Sequence, residues 1–247
     1  MVTYPTTTTT ADEILNTVAA EVGLEEVSDP VGSEDASYKQ LVRLLNVAGD
    51  ELSVMNNWEV LRREHTFTTA AADVGNYALP TDFNHIVDST VWDRTEDEPM
   101  FGPLSAQEWQ ALLGEDTTTI STLGWRIMGG EFNVYPYNPV GLIRAVYFEY
   151  VSNNWIVATN GTTYKNKVTV NSDVILYNRL LISRYTKLKF LLARGLDANA
   201  AQDDFNQMFE LLSGQDKGAP VLNVGASSGP FPLINAWRNI GDSNFGS

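Results

Sequence analysis

Residues Tyr77 to Leu113 read YALPTDFNHIVDSTVWDRTEDEPMFGPLSAQEWQALL, and their punctuation decides the fold. Pro80 has no amide hydrogen for a strand ladder and pushes Leu79 into extended geometry, so a strand ends there. Thr81 or Asp82 can cap the turn that follows. Phe83, Ile86 and Val87 then read as buried, and Thr90 to Trp92 is β-prone again. After Gly102 and Pro103, Ser105 with Glu108 three residues on forms a capping box that opens a short helix carrying Trp109, Leu112 and Leu113, ended by Gly114. The stretch predicts an antiparallel β module closed by a helix, with Phe83, Trp92 and Trp109 in its core.

Outward from this module the pattern extends in both directions and then turns helical. The β period of two runs from Glu64 to about Ser152, through Thr66 to Thr68, Trp125 to Met128, Phe132 to Tyr135 and Arg144 to Tyr150, with Met128-Gly129-Gly130-Glu131 as a hairpin turn. Trp155 to Val157 and Val168 to Val170 suggest a late hairpin around Asn160-Gly161. Upstream, Thr10 with Glu13 is a second capping box and opens a helix through Ile14, Leu15 and Val18 toward Gly23. An acidic loop from Glu25 to Ala36 precedes a long helix from about Ser37 to Asn57, whose Leu41, Leu45, Ala48, Leu52 and Met55 form one apolar stripe.

Downstream, Asn171 or Ser172 is the expected cap of a helix from about Asp173 to Arg194, and another runs from Asp197 to Ser213. The first of these is apolar nearly all round, which demands neighbours on several sides. The fold class is therefore α+β: a helical core from both ends of the chain (residues 1–63 and 171–213), an inserted antiparallel β module (64–170) and an extended C-terminal tail (214–247). That tail carries Phe231, Leu233, Ile234, Trp237, Ile240 and Phe245 between glycines and prolines. Such a segment cannot build a core of its own, and a solvated linker would lack these side chains.

The 247 residues carry a formal charge of −15, which argues against a protein that binds nucleic acid by neutralising phosphates. Residues 1–120 hold 22 acidic and 5 basic side chains, residues 121–247 hold 9 and 11. The basic concentration lies at Lys165, Lys167, Arg179, Arg184, Lys187, Lys189 and Arg194; Arg179, Lys187 and Arg194 share one helical face. That face can contact DNA or pair with the acidic half of the same or a neighbouring subunit, and pairing is the favoured reading. No cysteine is present, so thiol chemistry, disulfides and thiolate metal sites are excluded. The N-terminal sequence lacks a signal-peptide pattern and no run reaches a membrane span, which predicts folding in a cytoplasm without membrane contact.

No catalytic constellation emerges. Gly225-Ala226-Ser227-Ser228-Gly229 fits a nucleophile elbow in letters only, since Pro230 and a glycine-rich stretch follow it and His65 and His85 lie upstream. Glu64-His65 lacks the second histidine of a zinc motif. Asp93 with Glu96, Asp97 or Glu98 could serve a glycosidase, against the simpler reading of a solvated acidic loop. No metal or cofactor is expected.

Taken in order, L-P-x-D-F, V-W-D-R, G-P-L-S-x-x-E-W, G-W-R-I-x-G, P-Y-x-P and N-I-x-D-x-x-F-G make a sequence that resembles the head-to-tail adaptors (tail accessory factors) of short-tailed bacteriophages, from about Trp58 to Ser247. The resemblance implies a structural, non-enzymatic protein at the head-tail junction of a virion, assembled in the bacterial host cytoplasm. It implies a ring of about twelve copies between portal protein and tail, with nozzle or tail fibre and spike proteins as further partners and genomic DNA passing through without specific binding. It also implies a C-terminal segment that reaches the portal, which assigns portal contact to Phe231, Leu233, Ile234, Trp237, Arg238, Ile240 and Phe245. The alternatives are a tail-borne cell-wall glycosidase, another tail ring such as a nozzle, and a surface-binding β module.

Overall fold

A computed structural model describes residues 9–69, 75–114, 123–136 and 143–216. The architecture is mixed α+β, with two cores. The first is helical. Strand β1 (Thr9–Thr10) leads into α1 (Ala11–Glu21), whose expected capping box forms: the Thr10 amide donates to Glu13. α2 (Ala36–Met55) starts at Asp35, whose carboxylate accepts the amides of Ser37 and Tyr38 at 2.7 and 3.2 Å. After a single 3-10 turn (Glu59–Leu61) the chain leaves for the β module and returns as α4 (Arg179–Ala193) and α5 (Asn199–Asp216). Ile14, Leu15, Leu41, Leu45, Leu52, Leu181 and Ile182 fill the space between helices from both ends of the chain.

α4 begins six residues later than its sequence suggests. Val174 and Ile175 form strand β12, paired on one side with β1 and on the other with β10 (Ile156–Val157), which pairs in turn with β11 (Tyr164–Lys165). β-branched residues with partners on both sides favour the strand, and Asn178 takes over as cap, accepting the Leu180 amide at 2.9 Å. The late hairpin forms with Tyr164–Lys165, not Val168 to Val170, as its second strand. Trp155, Ile156 and Val168 join the helical core, so this small sheet packs with the helices. Gly49 makes that possible: a Cβ there would lie 2.2 Å from the Trp155 ring.

The β module holds two antiparallel sheets. In one, β9 (Ala145–Ser152) pairs along its length with β2 (Arg62–Thr68) and, on its other edge, with β4 (Phe83–Ile86) and β5 (Trp92–Asp93), which continues to β6 (Glu98–Pro99). The other has the order β3 (Asn76–Ala78), β8 (Glu131–Tyr135), β7 (Gly124–Met128). The turn at Gly129 and Gly130 has φ of 67° and 81°, the doubly left-handed geometry that fits a two-residue hairpin. Between the sheets Trp125 stacks on Phe132 and Phe132 on Phe148, each at 5.1 Å between centroids. α3 (Ala106–Leu113) closes one end, with its capping box at Ser105 and Glu108 formed and Trp109 buried against Tyr135.

Trp92 is not in this core. Strand β5 runs one residue out of phase with the expectation: Asp93 points inward to a buried Arg144, so Trp92 alternates to the outer face beside Tyr147, half-buried, with Arg94 over its ring. Phe83 is likewise half-buried, at the edge of the core. Asp82 caps nothing. The turn is closed by the Phe83 amide on the Pro80 carbonyl, and the Asp82 carboxylate accepts the hydroxyls of Tyr150 and Ser152 at 2.9 and 2.7 Å. Burial and then this bond raise the Tyr150 hydroxyl to about 12.

Candidate interaction surfaces

The basic face lies along α4, and the structure uses it at home. Lys187 pairs with Glu21 at 2.9 Å, Arg179 donates to Thr17 at 3.3 Å, and Arg194 donates to Ser37 at 3.0 Å while lying over Phe190. Their neighbours do the same: Arg184 donates to the Asp204 carbonyl, and Lys189 pairs with Glu51 at 2.6 Å. Arg179, Lys187 and Arg194 thus face α1 and the start of α2, and the acidic N-terminal half supplies several of their partners. α1, α2 and α5 cover most of the apolar surface of α4, while Leu180 and Leu192 stay more than half exposed. Between α4, α5 and the end of α1 a polar cleft of about 200 Å³ is lined by Glu21, Arg184, Lys187, Ala201 and Asp204, with the two signs in balance.

Two carboxylates, the buried Asp173 and the partly exposed Glu51, tie the helical half together. The Asp173 side chain, 0% exposed, accepts Lys165 at 2.6 Å and the amides of Thr169 and Val170. Its backbone carbonyl and that of Asn171 receive the first free amides of α1. Burial alone would raise this carboxyl; Lys165 and the amides outweigh it and hold the group below its ordinary value. Glu51 follows the same logic, with burial opposed and overcome by Lys189 and Tyr185. Burial, reinforced by Glu51, pushes the Tyr185 hydroxyl well up.

The groups singled out for acid-base work are engaged structurally. Asp93 and Glu96 both pair with the buried Arg144, at 3.2 and 2.6 Å, and Asp93 also accepts the Thr95 amide. This cluster fastens the β5–β6 hairpin to the start of β9, with the Glu96 side chain half-exposed to solvent. His85 shares a 2.8 Å hydrogen bond with Asn57, and His65 packs against Phe148. Burial holds both imidazoles below their usual value. Among the described residues no three metal-ligating side chains come together. Gly225 to Gly229 and the tail residues Phe231, Leu233, Ile234, Trp237, Arg238, Ile240 and Phe245 lie outside the described residues.

One surface escapes sequence reasoning. β4 is an edge strand of the first sheet and β7 of the second, and between them runs an open, mainly apolar groove of about 390 Å³ lined by Phe83, His85, Ile86, Pro103, Leu104 and Trp125, with Asn84, Arg126 and Ile127 at its margin. Trp125 is 2% exposed, yet its indole Nε1 has no hydrogen-bond partner among the described residues. It lies against Gly102, where a Cβ would come within 2.8 Å of it. The residues come from three separated segments, so no local pattern announces them.

The charged side chains named above thus fasten the protein's own elements, and an open apolar groove lies between two of its sheet edges. The sequence matches the SU10 adaptor protein family over residues 9–225. The chain belongs to that family, a family of phage head-to-tail adaptors, in agreement with the resemblance carried by its motifs. As a phage adaptor it is a virion component that associates with other head and tail proteins. No curated protein matches the sequence. No described helix is long and apolar enough to cross a membrane.

Proposed function

We propose that this chain forms a ring, of about twelve copies, beneath the portal at the head-tail junction, that DNA passes through the ring without specific binding, and that the segment from Phe231 to Phe245 attaches it to the portal. Membership of the adaptor family carries this reading. Charge supports the passage of DNA: a protein of −15, with Lys187 and Lys189 of α4 paired with its own carboxylates, offers little to phosphates. The composition of the tail supports attachment, because Phe231, Leu233, Ile234, Trp237, Arg238, Ile240 and Phe245 lie between glycines and prolines in a segment that cannot build a core of its own and is too apolar for a solvated linker. A few aromatic anchors and one arginine on an extended backbone suit a partner's groove, and repetition round a ring multiplies weak contacts.

The test is co-sedimentation with portal rings. A chain ending at Gly229 should fold, with the far-UV spectrum of the full chain, and fail to sediment with the portal; Trp237→Ala should lose much of the attachment alone. Undiminished attachment of the truncated chain would overturn the assignment of the tail.

A further inference from the structure

The groove between β4 and β7 is built to accept a strand. Across the Gly129–Gly130 turn, Met128 faces Glu131 as the closing hydrogen-bonded pair, so in the antiparallel ladder the amides and carbonyls of Ile127 and Trp125 point away from β8. Trp125 confirms the phase, since its amide donates to Phe101 and its carbonyl accepts Leu104. Ile127 has the same outward orientation and no such partner among the described residues. The groove therefore presents an unpaired edge amide and carbonyl over an apolar floor.

We propose that an extended apolar peptide adds to β7 in this groove, and that its occupant is the segment Phe231–Ile234 of the same chain. Reach argues for the same chain. The described residues end at Asp216, whose carboxylate accepts the Glu59 amide at 2.9 Å, and Asn57, two residues before Glu59, holds His85 of the groove wall. The path from Asp216 to the groove is on the order of 20 Å, while the residues between Asp216 and Phe231 can span up to about 50 Å.

The sequence Phe231-Pro232-Leu233-Ile234 suits the site. In a strand Phe231 and Leu233 share one face, and the missing amide of Pro232 falls on the side away from β7, where an edge strand tolerates proline. The inference rests on reading the tail as the docking segment: the groove stows part of it until the portal takes it.

The chain has no cysteine, so an engineered pair is unique. With Ile127→Cys and Leu233→Cys, which an antiparallel docked strand places on one face, oxidation should give a disulfide within one chain, read as a monomer of altered mobility on non-reducing gels. A disulfide only between two chains overturns the same-chain assignment, and none at all overturns the site. Hydrogen exchange supplies the second readout: the Ile127 amide should exchange at least tenfold faster in a chain ending at Gly229, and likewise in full-length Phe231→Asp/Leu233→Asp. Equal exchange in all three overturns the proposal. Portal co-sedimentation separates the two readings: lost attachment with unchanged Ile127 exchange sinks the groove and leaves the adaptor tail standing, and the converse pattern does the reverse.

Discussion

The helical half and the β module bury their aromatic residues on different terms. In the helical half each large polar aromatic has a partner: Trp58 donates to the Leu52 carbonyl at 2.7 Å, Trp155 to Asp50 at 3.1 Å, Tyr177 to the Gly49 carbonyl at 2.9 Å and Tyr38 to the Glu25 carbonyl at 2.7 Å. The β module instead stacks Trp125, Phe132 and Phe148 and leaves the Trp125 donor without a partner among the described residues. Asp12, Asn56 and Ser183 of the helical half also leave buried polar atoms without a partner among the described residues, so the difference lies in the large aromatics. The β module adds an edge strand beside an apolar groove, and that is where we propose that a segment docks.

The comparison can be broken first at its largest effect, the closing of the β module by α3. Trp109 is buried and packs edge-on against Tyr135, whereas Trp92 lies half-exposed on the outer face. Trp109→Ala should cost ~3 to 5 kcal/mol, as truncation of a buried aromatic does. Trp92→Ala should cost distinctly less, about 1 to 2 kcal/mol on the same scale. Urea unfolding followed by far-UV circular dichroism measures both; equal losses would mean that the phase of β5 is wrong.

A sharper test removes one N–H from each half. In the isolated chain ending at Gly229, whose groove holds no tail, Trp155→Phe and Trp125→Phe shrink a buried indole by the same amount, but only the first removes a hydrogen bond, the one to Asp50. Trp155→Phe should therefore exceed Trp125→Phe by ~0.5 to 1.5 kcal/mol, the usual net worth of a hydrogen bond, since Asp50 is exposed and water can replace the lost donor. Equal destabilisation of the isolated chain would show that the Trp125 donor is satisfied after all, by water or by another segment.

How much of this was legible follows from where the information sits. Capping boxes at Thr10 and Ser105, the apolar stripe of α2 and the Gly129–Gly130 turn are local chemistry, written within a few residues, and they formed where they were read. The start of α4 was misplaced because Val174 and Ile175 fit a helix stripe equally well until β1 and β10, far away in sequence, claim them as a strand. Trp92 was misplaced because a strand's alternation gives two phases, and the choice was made by Arg144 pulling Asp93 inward across about fifty positions of chain. Charge balance suggested acidic partners for the basic face, but of its three cations only Lys187 meets a carboxylate, Glu21, while Arg179 and Arg194 donate to the hydroxyls of Thr17 and Ser37. The groove was invisible, since it arises from two sheet edges meeting.

The smallest effect distinguishes the halves by pH. In the helical half the titrating groups that matter are Asp173 and Glu51, both held below their ordinary values of 3.8 and 4.5. A depressed carboxylate contributes stability that is present above the unfolded value and lost as pH falls through the folded one, so this half should hold until well into the acid range. In the β module the groups are His65 and His85, lowered from 6.5 by burial, with Asp82 and Asp88 respectively opposing that shift. A histidine kept neutral by folding binds fewer protons than it does unfolded, so stability rises with pH between its folded value and 6.5 and declines as pH falls through that window. Both rings are partly exposed and solvent screens them, which limits the loss to under ~1 kcal/mol. Urea midpoints should accordingly be level from pH 8 to 7, fall slightly from 6.5 to 5, and fall steeply only below about 4. His65→Phe with His85→Gln should flatten the middle limb and leave the acid limb intact. A wild-type midpoint that is unchanged between pH 7.5 and 5.5 would remove the histidines from the account and leave the two halves indistinguishable by titration.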